Sequence, residues 1–184
     1  MTEHGYAADD RFYASLVGIA TPDRAVMLRR HFGPAFPLAR FLRRYYARKR
    51  QWLEHGVPLM AGALELLEWL AERRTPAAIA TSASRATANF HLSRHQLAGR
   101  FAAIVTRDDV GPRKPHPAPF LQAATEMQIH PAQCMAVEDS PAGAAAASVA
   151  GMTCVLVPGG SAQRCRGASV LPDLHALREF LSAN

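Results

Sequence analysis

From Ala61 onward, short apolar runs and amphipathic stretches take turns along the chain. The apolar runs are Ala77–Ala80, Phe101–Val105, Cys134–Val137 and Thr153–Val157. Before, between and after them, Ala63–Arg73, Arg85–Gln96, Phe120–Met127, Ala142–Ala150 and Leu174–Leu181 read as helices, with Leu66, Leu67 and Leu70 on one face of the first. Apolar runs this short, alternating with helices, predict strands covered on both faces. That pattern selects a parallel sheet in an α/β fold. In such sheets ligands bind at the carboxyl ends of the strands, near the switch in strand order. The polar residues of this chain gather at those ends.

Residues 1–58 follow a different, all-helical pattern. Asp9–Val17 and Pro22–His31 are short amphipathic stretches, separated by Gly18 and by a Thr21-Pro22 start signal. Leu38–His55 predicts a longer helix, and Gly56 stops it. The expected organisation is a small helical region, 1–58, and an α/β core, 59–184. The 184 residues suit one core with a small attachment, and with 49% apolar residues they can build it.

The formal charge of +6 favours anionic ligands in general. Much of the excess lies in Arg43-Arg44-Tyr45-Tyr46-Ala47-Arg48-Lys49-Arg50. Leu42, Tyr45, Trp52 and Leu53 recur there at helical spacing, and no nucleic-acid-binding motif accompanies them. A solvated helix face is therefore expected, not a nucleic-acid surface. No apolar run approaches the about 20 residues of a membrane helix. Met1-Thr2-Glu3-His4-Gly5 contains no apolar leader, so a cytoplasmic location is expected. Cys134, Cys154 and Cys165 are widely spaced and read as buried thiols in a reducing compartment.

Three short segments carry chemistry. In Ala136-Val137-Glu138-Asp139-Ser140-Pro141-Ala142-Gly143, adjacent carboxylates sit where a strand ends and Ser140 begins a helix. Such carboxylates are hard ligands for Mg²⁺, although alone the pair is equally explained by a positive helix N-terminus. In Arg113-Lys114-Pro115-His116-Pro117, a lysine held in a Pro-rich loop can pair with a phosphate oxygen. Thr81-Ser82-Ala83-Ser84 places hydroxyls and free N–H groups at a strand-to-helix turn, which suits either an anion or simple helix capping.

Together, and in this order, these segments resemble the second, third and fourth motifs of the haloacid dehalogenase-like hydrolases. The Lys114-Pro115-His116-Pro117 and Glu138-Asp139-Ser140-Pro141-Ala142-Gly143 forms are similar to the branch with a helical cap, which includes phosphoglycolate phosphatase-like and beta-phosphoglucomutase-like enzymes. The resemblance implies a Rossmann-like core with residues 1–58 as most of the cap. It implies that Thr81 or Ser82 binds the transferred phosphoryl group, with Thr81 preferred and Ala83 in the same turn. Lys114 would hold that group and the nucleophile, and Asp139 with Glu138 would ligate Mg²⁺. The substrate would be a small phosphorylated metabolite, attacked through an aspartyl-phosphate. Gly18-Ile19-Ala20-Thr21 lacks the Arg that phosphoglucomutase-like members use for a second phosphate, which favours a phosphatase over a mutase.

The family's first motif, an apolar strand ending in Asp-x-Asp-Gly, has no match. Asp9-Asp10 follows no apolar run. The expectation is that the chain begins part-way through the cap, whether from a mistaken start, a truncated form or a degenerate gene. The absent strand would be central, leaving a gap between the strands that end at Thr81 and Asp139 and inviting self-association. A non-catalytic phosphate- or partner-binding relative is the alternative to an enzyme. Should the chain itself turn over, Asp9, Asp10, Asp108 and Asp109 are the first candidate nucleophiles. His91 and His95, four apart on a predicted helix, lack an evident third metal ligand and are expected at the surface.

Overall fold

The structure is a computed structural model and describes residues 12, 15, 16, 21–158 and 169–183. Asp9, Asp10, Cys165 and most of the Asp9–Val17 stretch lie outside the described residues. The chain divides into two compact units, Met1–Val57 and Pro58–Asn184.

The first unit is helical among its described residues. Helices α1 (Thr21–Phe32) and α2 (Leu38–His55) are joined by a turn at Gly33, whose φ is 85°. Gly suits that left-handed position because it has no Cβ to clash. Leu28 and Phe36 form the buried centre. Phe32 stacks on Phe36 at 4.9 Å, and Phe36 meets Phe41 at 5.4 Å. Arg24 donates to the Tyr45 hydroxyl at 2.9 Å, tying α1 to α2.

The second unit carries the alternating pattern. Its elements are α3 (Ala63–Glu72), β1 (Ala78–Ala80), α4 (Arg85–Arg94), β2 (Ala103–Val105), α5 (Ala118–Met127), β3 (Met135–Glu138), α6 (Pro141–Val149), β4 (Thr153–Leu156), β5 (Ser169–Val170) and α7 (Leu174–Ala183). All strand pairs are parallel, as expected for strands joined through helices. Among the described residues the strands form two sheets, β1-β2 and β3-β4-β5. The two-residue β5 was not expected from its sequence; it pairs Ser169 with Val155 and Val170 with Leu156.

Strand β4 is buried on both faces. Cys154 and Leu156 join Phe120, Ala144, Ala146 and Ala147 on one side. Val155 and Val157 join Leu66 and Leu177 on the other, with Trp69 and Leu70 packed behind them. Each such aliphatic side chain contributes about 1.5–3 kcal/mol when fully buried. Cys154 is buried as expected, but Cys134 is only half-buried, because it stands just before β3 and beside the Pro131–Gln133 turn. His91 and His95 are half-buried and not surface residues: α4 packs through Ala88 and Leu92, and a histidine one position from Leu92 shares part of that cover.

Candidate active site

The turn after β1 is built by local hydrogen bonds. Thr81 N–H extends the ladder to the Val105 carbonyl at 2.9 Å. The Thr81 hydroxyl accepts from the Ala83 N–H at 3.1 Å, which folds the chain back toward α4. Ser84 caps α4 by accepting from Thr87 N–H. Thr81 and Ala83 are half-buried and Ser82 is exposed.

A second turn braces the first. Asp109 accepts from the Thr106 N–H at 2.7 Å, from the Thr106 hydroxyl at 2.6 Å and from the Arg85 guanidinium at 2.5 Å. Asp108 accepts from the Arg85 N–H at 2.7 Å, and the Ala83 carbonyl accepts from Arg107 N–H at 3.1 Å. The Arg85 hydrogen bond, followed by those from Thr106, holds the Asp109 carboxyl far below the usual carboxylate range. Thr106 is fully buried. The braces Arg85, Thr106, Asp108 and Asp109 were missed as site residues, although Asp108 and Asp109 were considered as nucleophiles. Their structural engagement gives each a different task, that of bracing a turn.

Lys114 draws the segments together. Its ammonium donates to the Ala80 carbonyl at 2.9 Å and to Glu138 Oε1 in a short ion pair. It also lies 4.7 Å from the centre of the Phe120 ring. The Lys114 and Glu138 side chains are 10% and 7% exposed, so the pair is largely out of water. Ala80 precedes Thr81 and Glu138 precedes Asp139. One side chain therefore links the C-terminal ends of β1 and β3.

Glu138 closes β3 with its side chain turned inward, and Ser140 Oγ donates to Glu138 Oε2 at 3.3 Å while capping α6 through Gly143 N–H. A Cβ at Gly143 would run into the Glu138 carboxylate, so glycine here lets α6 and the carboxylate approach closely. Asp139, the next residue, is exposed. The period of two along a strand separates the neighbouring carboxylates in this way. Among the described residues, no three His, Cys, Asp or Glu side chains gather into a metal-holding group.

A family model described as "Haloacid dehalogenase-like hydrolase" matches residues 10–157. The chain belongs to the haloacid dehalogenase-like hydrolases. Validoxylamine A 7'-phosphate phosphatase of Streptomyces hygroscopicus is 36% identical over 94 residues, 51% of this chain and 44% of that protein. Hexitol phosphatase A of Escherichia coli is 36% identical over 104 residues, 55% of this chain and 47% of that protein. The match thus spans less than half the length of either curated relative. A haloacid dehalogenase family hydrolase of Deinococcus radiodurans, solved with bound phosphate and sodium, is 26% identical with a TM-score of 0.76. That likeness covers 99% of this chain and 84% of the other. No helix among the described residues is long and apolar enough to cross a membrane.

Proposed function

We propose that this haloacid dehalogenase-like chain carries the phosphate-holding half of a Mg²⁺-dependent phosphatase for a small phosphorylated metabolite. The observation that carries the reading is the position of Lys114, bonded at once to the residue before Thr81 and to the residue before Asp139. A transferred phosphoryl group beside that ammonium meets the Thr81 turn on one side and a carboxylate edge on the other. The Thr81-Ser82-Ala83 turn offers N–H and hydroxyl groups to phosphate oxygens. Lys114 offsets the repulsion between phosphate and carboxylates. Glu138 fixes Lys114 in place.

Mg²⁺ fits the donors present, since this ion takes one or two protein carboxylates and completes its shell with water and phosphate. Asp139 is the exposed carboxylate that would hold it, with Glu138 one residue away. When bound, the ion neutralises charge on the phosphoryl oxygens. In the family's chemistry an aspartate oxygen bonds to phosphorus as the ester oxygen leaves with a proton from a second acid. Water then splits the acyl phosphate, returning the carboxylate and inorganic phosphate. Asp108 and Asp109 are committed to Arg85 and Thr106, so the nucleophile is assigned to a segment ending in Asp-x-Asp-Gly. The helical unit is read as the cap, and the protein as cytoplasmic. The test is a panel of phosphorylated metabolites and p-nitrophenyl phosphate, assayed with Mg²⁺ on a form that includes such a segment. Turnover is expected, and Lys114→Ala and Asp139→Ala should each remove about 10²-fold or more. Full activity in either variant would overturn the assignment.

A further inference from the structure

The turn that follows β1 is held from both of its ends. Lys114 donates to the Ala80 carbonyl, and Thr81 N–H joins the Val105 carbonyl at the end of β2. Further on, the Ala83 carbonyl accepts from Arg107 N–H, and Arg85 donates its N–H to Asp108 and its guanidinium to Asp109. Ser82, exposed, lies between these anchors. The later anchors all belong to the turn after β2, residues 106–109, and that turn holds its own shape. Asp109 N–H donates to the Thr106 carbonyl at 3.2 Å, while Asp109 Oδ2 accepts from both the N–H and the hydroxyl of Thr106. The same hydroxyl accepts from Asp108 N–H at 3.3 Å, and Thr106 is fully buried. Asp109 is where this closed turn meets the Arg85 side chain.

Carboxylates are out of place beside an anion site if charge is all they bring. Asp108 and Asp109 are each matched by a cation, Arg107 at 3.5 Å and Arg85 at 2.5 Å, so the cluster adds no net charge beside Thr81–Ala83. These side chains are between 31% and 48% exposed apart from Arg85 at 40% within that span, and exposed ion pairs add little to stability. What remains is geometry. Donors aimed in advance bind an anion without first having to be ordered. We propose that Asp109 is a positioning residue of the phosphate site: through Thr106 and Arg85 it fixes the Thr81–Ala83 turn before phosphate arrives, although its own charge opposes an anion. The role rests on the reading of that turn as phosphate-holding.

Removing the carboxylate separates geometry from charge by sign. Asp109→Asn and Asp109→Ala each make the local charge more positive, which by itself tightens phosphate binding. Loss of the brace loosens it. The probe is inorganic phosphate, titrated into the whole chain at constant ionic strength and followed at the Ser82 and Ala83 amide resonances. A saturable response is expected in the parent. Asp109→Ala should raise the apparent Kd roughly tenfold, the worth of one charge-assisted bond, and Asp109→Asn, which keeps an acceptor for Thr106, by less. Without phosphate, exchange of the Ala83 amide, which donates to the Thr81 hydroxyl, should quicken in the same order. Asp173→Ala is the control. It removes an equal charge and the acceptor for Ala176 N–H in the first turn of α7, and it should leave phosphate binding unchanged. Equal or tighter phosphate binding in the folded Asp109 variants, or an equal loss in Asp173→Ala, would overturn the proposal and leave the phosphate site standing. If Asp109→Ala fails to fold, Asp109→Asn decides alone. An absent or unsaturable response at Ser82 and Ala83 in the parent would instead sink the phosphate reading, and the positioning role with it.

Discussion

Lys114 and Glu138 form an ion pair that is about nine-tenths buried, and Ser140 supplies a further donor to the same carboxylate. Removing one partner leaves the other charged in a dry setting, which typically costs about 3–5 kcal/mol. Lys114→Ala and Glu138→Ala should each lower unfolding stability by about that much, whereas Lys114→Met with Glu138→Leu should lose distinctly less. Urea unfolding of the single and double variants measures the difference. Equal, additive losses would show that the two charges do not act as a pair.

Gly143→Ala should be costly although alanine is the better helix former. The added carbon would collide with the Glu138 carboxylate, whose retreat would disturb its ion pair with Lys114. Overpacking of this kind costs about 1–3 kcal/mol. A thermal melt would register it, and Glu138→Ala placed beside Gly143→Ala should relieve part of the loss. A neutral or stabilising Gly143→Ala would mean that α6 shifts freely over β3.

The Thr106–Asp109–Arg85 brace sets a direction for acid sensitivity. The folded-state value of Asp109 lies below its unfolded value, so the carboxylate contributes stability at pH above the usual carboxylate range. That contribution is lost as pH falls through and below about 4, toward the depressed folded value. Asp109→Asn should therefore be less stable than the parent at pH 7, with the gap narrowing in acid. Denaturant midpoints at neutral and low pH test this, and a gap that widens in acid would contradict the brace.

Much of the second unit was legible because strand and helix periods differ: β1, β2 and β4 lie within the apolar runs that mark them, and β3 runs one residue past its own, to Glu138. The alternating faces of β3 follow from the same period: Ala136 and Glu138 turn in while Val137 and Asp139 are exposed. Sequence reading joined Glu138 to Asp139 as neighbours and overlooked that a strand sends neighbours to opposite sides. The Arg85–Asp109 contact joins residues 24 apart, and no local pattern announces a pairing set by where two turns meet. Strand β5 is too short to leave a periodic trace. Whether Thr81 or Ser82 faces the phosphate was open in the sequence; the hydroxyl of Thr81 is already used to shape the turn.

Helix α6 has no large side chain toward the sheet, only Gly143, Ala144, Ala146 and Ala147. Ala146 and Ala147 are 0% exposed, so the helix axis rides as low over β3 and β4 as backbone permits. The height of Ser140 above Glu138, and through it the seat of Lys114, is thus set by residues that carry no chemistry. A saturation mutagenesis scan should accordingly find a band of intolerance along one side of α6 as deep as that at the charged residues themselves. To anyone reading only the scan, it would look like a second functional motif.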